Sequence, residues 1–393
     1  MAKRYSLLTV FLVVFIDLVG FGIVIPILPY YATQFGASAS ELGWLMAIYS
    51  FMQFLISPLW GRLSDRIGRR PVLMVSIFGT ALTMAFLGFA RSLEWLFIGR
   101  LLAGACAANI STAYAYIADV TNEENRAKGM GAVGAAFGLG FIFGPAIGGT
   151  LAHNHNYALP MFFAAGLSAI NLLFAFFKLE EPHLTAEERS KNRTKRFDLE
   201  SIRLALGDQR TRLAIGVFFL VTFAVTQMES IFAIYMAALF NFDARQAGML
   251  LALVGIIMVI MQGGLVGRLA KRFGELKLIH FGLIVCCLGL FGFAFSPSIG
   301  AVIVSLSVLG LGHGALHPSL SSLASLGASK DRRGATMGVF QSAGSLARVL
   351  GPPCAGFAYD HLAPNAPFLV GCTILLCAFA ISQAPMGRAE ALH

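Results

Sequence analysis

Apolar runs of about twenty residues, separated by short polar and charged stretches, recur from one end of this chain to the other. The first is typical: between Tyr5 and Tyr31 one residue, Asp17, carries a formal charge. A helix needs roughly 20 residues to cross the hydrocarbon layer of a bilayer. Twelve segments meet that length, at about 6–31, 41–61, 71–90, 94–118, 127–151, 159–177, 213–238, 246–267, 277–296, 299–325, 335–358 and 366–385. Strands of a membrane barrel would alternate over segments of about ten residues. These runs do not alternate, so the pattern predicts an all-α, multi-pass membrane protein.

Composition agrees with the pattern. Apolar residues make up 57% of the 393 and charged residues 12%, against about 25% charged in soluble domains. The net charge of +9 is read through its placement. On the twelve-span topology all but four of the 29 Lys and Arg fall at the termini or in loops of one face. Arg91 and Arg245 lie at the other face, and Arg100 and Arg348 lie inside spans. An excess of Lys and Arg marks the cytoplasmic side, which puts both termini in the cytoplasm. The basic surplus thus serves topology and lipid contact, not nucleic acid. MAKRYSLLTV begins like a signal peptide, but its apolar run is too long and lacks a small-residue cleavage site. The six cysteines all fall within spans, with no metal or disulfide spacing.

The chain repeats itself. Gly61, Arg62, Leu63, Arg66 and Gly68 recur as Gly267, Arg268, Leu269, Arg272 and Gly274. Arg126, Met130, Gly131, Gly144, Pro145 and Gly149 recur as Arg333, Met337, Gly338, Gly351, Pro352 and Gly356. The two echoes share nearly one offset, so the chain reads as two parallel six-helix halves, residues 1–178 and 213–393. A charged cytoplasmic linker, 179–212, joins them, with an interfacial helix expected around 198–206. Repeated halves with a midplane site are a transporter architecture.

Three motifs carry a resemblance. GRLSDRIGRRPVL (61–73), RLLAGACAAN (100–109) and GAAFGLGFIFGPAIGG (134–149) resemble signatures of the major facilitator superfamily. The likeness runs through the whole chain and is to its bacterial twelve-helix drug:proton antiporters, tetracycline and multidrug exporters among them. It implies export of lipophilic small molecules, coupled to protons, by a monomer in the cell inner or plasma membrane, without cofactor or metal. It also implies a cytoplasmic latch: Asp65 near the N-terminus of span 11 and Arg70 linked to Asp119 below span 4. Gly61 is expected to allow close helix approach and Gly68 a tight turn. Arg69 is counted with the latch, though it and Arg66 also read as solvated charges; the latch contacts would form only while the cytoplasmic side is closed, and solvation of the whole cluster is the alternative. In span 5, Gly134, Gly138, Gly144, Gly148 and Gly149, with Pro145 bending the helix, form a stripe for tight packing. The resemblance adds a sealing role between the halves.

Buried polar groups supply the candidate site. A charge at bilayer depth costs about 2.5–3.5 kcal/mol on insertion scales. Asp17 and Glu229 are the candidates for proton coupling. Arg348 lies at the depth of Glu229, so a static ion pair is the competing reading. Gln53, Arg100, Asn109, Tyr116, Gln227, Gln262 and Gln341 are candidates for a polar cavity or for helix-packing hydrogen bonds. His313 and His317 share a helix face; cavity lining, proton relay, packing and metal binding are their readings, with no third ligand beside them. Where tetracycline exporters carry aspartates in spans 3 and 9, this chain has Thr83 and a position near Cys286. A broader range of lipophilic substrates, cationic ones included, fits this departure. A metabolite or sugar transporter of the same fold is the second reading, and a non-transporting receptor or scaffold the third. No nucleophile–base pair or nucleotide loop suggests an enzyme.

Overall fold

The computed structural model describes residues 7–107, 109–121, 123–182, 203, 206–327 and 333–383. Among them the regular structure is helical and contains no strand. The order begins α1 (Leu7–Gln34), α2 (Ala39–Ile67), α3 (Arg69–Gly88), α4 (Leu93–Cys106), α5 (Asn109–Val120), α6 (Glu123–Leu151) and α7 (Ala158–Lys178). It continues with α8 (Gln209–Phe240), α9 (Ala244–Ile260), a π turn (Met261–Leu265), α10 (Val266–Phe273), α11 (Glu275–Ala294), α12 (Ile299–Leu326), α13 (Arg333–His361) and α14 (Ala366–Ser382). Nine helical segments among the described residues are long and apolar enough to cross a bilayer, and α14 is a shorter apolar helix. The interfacial helix expected around 198–206 lies largely outside the described residues.

By contact, the described chain separates into two units. The first takes the residues up to 194 together with 232–256; the second takes 195–231 and the residues from 257 onward. In the first, α1 packs along α6 and α7, α3 along α7 and α4, and α2 along α4. Its core joins Val10, Val14, Leu18, Ile77, Ala113 and Ile117. In the second, α11 and α12 make the closest pair. A Cβ on Gly289 would come 2.6 Å from the Leu309 nitrogen, and one on Gly312 2.6 Å from the Cys286 nitrogen. Absent side chains let two backbones meet in lipid, where packing replaces the hydrophobic effect.

The fourth predicted span, 94–118, is not one helix. It ends as α4 at Cys106, turns through a non-helical Ala107 (φ −76°, ψ 70°) and restarts as α5 at Asn109. A break at membrane depth frees carbonyls that lipid cannot satisfy. Here neighbouring helices satisfy them: Trp60 Nε1 donates to Ala105 O at 2.7 Å and Ser76 Oγ donates to Cys106 O. Both donors come from elsewhere in the bundle, so the local sequence did not predict the interruption.

Candidate transport site and cytoplasmic rim

Asp17 sits on α1 beside the break. Asn109, the first residue of α5, donates from Nδ2 to Asp17 Oδ1 at 2.6 Å. Asn109 is 5% exposed, and its Oδ1 has no hydrogen-bond partner among the described residues. The pair lines a cavity with Phe21, Tyr49, Gln53 and Thr80; Ala103 and Ala107, at the end of α4, border it too. Its water-accessible space is about 30 Å³, room for one or two water molecules. Asp17 therefore faces the bundle interior, as its insertion cost demands. Behind Tyr49 lies Arg100, 4% exposed, with its guanidinium 4.2 Å from the Tyr49 ring centroid. Its Nε and Nη1 have no hydrogen-bond partner among the described residues, and the ring face supplies a cation–π contact.

The second unit holds the other polar candidates. Glu229 on α8 is half-buried and lies within electrostatic reach of Arg348 on α13. Arg348 Nη2 donates to Ser345 Oγ at 3.3 Å. His317 stands edge-on to Phe218 and Phe340, whose rings stack at 3.9 Å. His313 is half-buried one turn away, and Gln341 is exposed. Gln262 falls in the π turn, a local widening of the helix that often marks functional positions. Two candidates lie outside the lining of the Asp17 cavity. Gln227 is fully buried, with both amide atoms lacking partners among the described residues. Tyr116 belongs to the core of the first unit and donates its hydroxyl to Glu180 O at 2.6 Å. No group of three His, Cys, Asp or Glu that could hold a metal occurs among the described residues.

At the rim the expected pairing is corrected. Asp119 is bound by Arg69, not Arg70: Arg69 Nε donates to Asp119 Oδ2 at 2.8 Å. The same guanidinium donates to Asp65 Oδ1 at 2.6 Å and to Ser64 Oγ at 2.6 Å. Arg69 is thus buried and paired, not a solvated charge. Arg70, one residue and about 100° further round α3, reaches α7 instead. It donates to Phe176 O at 2.6 Å and lies 5.7 Å from that ring's centroid. The turn between α2 and α3 is made by Gly68 at φ 107°, a backbone region that side chains disfavour. Below it, the Glu181 carboxylate accepts the Arg69 and Arg70 backbone N–H groups at 2.7 and 2.8 Å. A Cβ on Gly68 would meet that carboxylate at 2.5 Å. Among the described residues Gly61 does not bring α2 against a neighbour: none of them lies within 4 Å of where its Cβ would stand.

The glycine stripe of α6 divides between two partners. Gly140 packs on Leu18, Gly144 on the Gly22 backbone, and Gly148 on Ile23 O, where added Cβ atoms would approach to 2.5–2.7 Å. On an adjoining face, a Cβ on Gly149 would come 2.7 Å from Ala244 O, and the Pro145 carbonyl abuts Gly248 of α9. Gly134 is exposed, with none of the described residues within 4 Å of its Cβ position, so it lies outside this contact; Gly138 is half-buried. Next to this contact, Tyr30 at the end of α1 donates to Phe242 O at 3.0 Å and lies 3.3 Å from Asp243 O.

The family description Major Facilitator Superfamily matches residues 10–352 and, again, residues 232–386. The chain belongs to the major facilitator superfamily. Within it, the chain is similar to the class C tetracycline resistance protein of Escherichia coli, at 32% identity over 99% of each chain. The class E protein of Escherichia coli is 33% identical, covering 94% of this chain and 92% of the relative. Multidrug resistance protein 1 of Bacillus subtilis (strain 168) is 28% identical over 98% of this chain and 97% of its own length. Among solved structures, the human organic anion transporter MFSD10 (TETRAN) aligns with a TM-score of 0.71 and 26% identity, over 98% of this chain and 100% of that one. A bacterial Spinster homologue in an inward-facing, occupied conformation shares the fold at TM-score 0.78, 15% identity and 97% coverage of each chain.

This superfamily member is a multi-pass protein of the cell membrane. Its sequence pointed to Asp17, Gln53 and Asn109 separately, and the fold brings them to one cavity. It did not point to Glu181, Trp60 or Ser76. The only signal for Glu181 was the acidic pair Glu180–Glu181 directly after an apolar span, which also reads as an ordinary solvated end.

Proposed function

We propose that this chain exports hydrophobic small molecules in exchange for protons, by alternating access. The observation that carries the reading is the Asp17–Asn109 hydrogen bond at the break in the fourth span. Transporters place their coupling groups where a helix is discontinuous near the bilayer midplane. A membrane carboxylate beside water-sized space can take up and release a proton. That space, about 30 Å³, is far below the roughly 300–1,000 Å³ of drug-sized sites. In this reading Asp17 serves the coupling ion. The printed names of the relatives, tetracycline and multidrug resistance proteins, support a drug as cargo.

In this reading the chain crosses the membrane twelve times with both termini in the cytoplasm. Halves 1–178 and 213–393, joined by 179–212, rock about the substrate. Asp65, Arg69 and Asp119 stiffen the cytoplasmic rim, and the α6 stripe seals close helix contacts against leak. Glu229 is the second titrating candidate, and the protein works as a monomer. The test is transport of a lipophilic cationic dye into everted vesicles. An imposed pH gradient should drive accumulation, and Asp17→Asn should abolish it while the protein remains inserted. Accumulation that ignores the gradient would reject proton exchange.

A further inference from the structure

The cavity at the helix break is chemically more than a place for a proton. It presents one carboxylate, Asp17, and an amide oxygen, Asn109 Oδ1, with no partner among the described residues. Asn109 is buried, so this oxygen meets no bulk water, and a buried acceptor left unpaired is costly. Thr80 and Gln53 bring further oxygens to the same lining. Thr80 Oγ1 uses its proton on Ser76 O at 3.1 Å, which leaves its lone pairs free to point elsewhere. Ala103 and Ala107 lie at the C-terminal end of α4, the end of a helix with negative partial charge.

Every one of these features favours a positive ion with hard oxygen ligands. We propose that the cavity at the α4–α5 break binds a monovalent metal cation, sodium, in competition with the proton on Asp17. Carboxylate, amide carbonyl and hydroxyl oxygens are the ligands hard cations select, and unwound backbone in a membrane helix is where transporters coordinate sodium. One negative charge in the lining matches a monovalent ion and leaves a divalent ion undercompensated. The volume accepts one small ion with a water.

Among the described residues the cavity lining holds no second acid, and Asp119, on the α5 helix that also packs on α1, is paired with Arg69 at the rim. From α2 the cavity receives Tyr49 and Gln53, with Arg100 of α4 lying behind the Tyr49 ring. From α3 come Thr80 and Met84. The span from Gly129 to Leu151 on α6 contains no ionisable residue, and α7 contains only its terminal Lys178. Near α1 those helices contribute Gly140, Gly144 and an Asn171 amide that donates to Val13 O at 2.9 Å. Asp17 is then the one acid of the cavity, and proton or sodium occupies it in turn. The inference rests on the reading of Asp17 as the coupling acid.

The experiment is equilibrium binding of radioactive sodium to the purified full-length protein in nanodiscs, at alkaline and acidic pH, with potassium as competitor. Saturable binding that protons displace and potassium displaces poorly is expected. Asp17→Asn should remove it, and Asn109→Ala should weaken it about 10- to 100-fold, the usual cost of losing a metal-supporting group. No saturable sodium binding in the folded wild type, or binding indifferent to both substitutions, overturns the proposal. Gradient-driven dye transport, measured on the same variants, keeps the two readings apart. If sodium binding is absent but Asp17→Asn is still transport-dead, the proton reading stands alone. If Asp17→Asn transports normally yet has lost sodium, the site stands and its coupling role falls.

Discussion

Asn109 donates a 2.6 Å hydrogen bond to Asp17 across two helices, from the first residue after a break in the fourth span. The bond joins the one charged residue of α1 to the one place where that span gives up its helical hydrogen bonding. Asp17→Asn keeps the shape of the side chain and removes its charge. Such a variant should insert and unfold like the wild type but lose gradient-driven efflux, with the largest affinity loss for cationic ligands. Asp17→Glu should retain part of the activity. Wild-type rates with an unchanged pH profile in Asp17→Asn would make the residue structural.

The α6 stripe makes a position-by-position forecast. Gly144→Leu and Gly148→Leu insert a side chain where even a Cβ would lie within 2.5–2.6 Å of α1 backbone atoms. Overpacking costs about 1–3 kcal/mol, and a backbone neighbour cannot move aside as a side chain can. Both variants should show reduced thermal stability in detergent. Gly134→Leu, at an open position, should not. Equal stability of all three would place the stripe against lipid.

Arg69 and Arg70 should differ sharply despite their adjacency. Arg69→Ala removes an ion-pair partner of Asp119, whose side chain is 5% exposed, and removing one partner of a buried pair costs up to about 3–5 kcal/mol. Arg70→Ala loses one hydrogen bond at an exposed position and a cation–π contact, about 1 kcal/mol in all. Denaturant-induced unfolding, or melting temperatures of the two variants, will rank them. The reverse order would return the Asp119 link to Arg70.

Glu181 closes the N-terminus of α3 as a capping side chain does. Glu181→Ala should cost about 1–2 kcal/mol, the range for lost helix caps. Glu181→Gln should keep part of that, because an amide oxygen can accept only one of the two N–H groups well. Gly68→Ala should destabilise independently through its φ of 107°. In the Glu181→Ala background the steric share of that cost should shrink, which a double-mutant cycle measures.

Tyr30→Phe removes the hydroxyl that ties the end of α1 to Phe242 and Asp243. The loss should be about 0.5–1.5 kcal/mol and should loosen this contact. A cysteine introduced at Asp243 should then react faster with a thiol reagent in the Tyr30→Phe background. Unchanged labelling would show that the stacked ring of Tyr157, not the hydroxyl, holds the contact.

Hydropathy alone determined that this chain is helical and crosses a membrane, because lipid leaves the backbone so few alternatives. It also located the acid of α1, the glycines of α6 and the charged turn after α2, since each stands out against an apolar background. Tertiary structure decided which of these residues meet. Arg69 rather than Arg70 holds Asp119 because one residue turns a helix by about 100°, and only the packing of α3 says which direction faces Asp119. The break at Ala107 was hidden because its carbonyls are satisfied by Trp60 and Ser76, donors remote in sequence. Gly134 and Gly144 look alike in the chain; only the approach of α1 separates them. A sequence records where polar groups are affordable in lipid, and the fold supplies the partners that make them so.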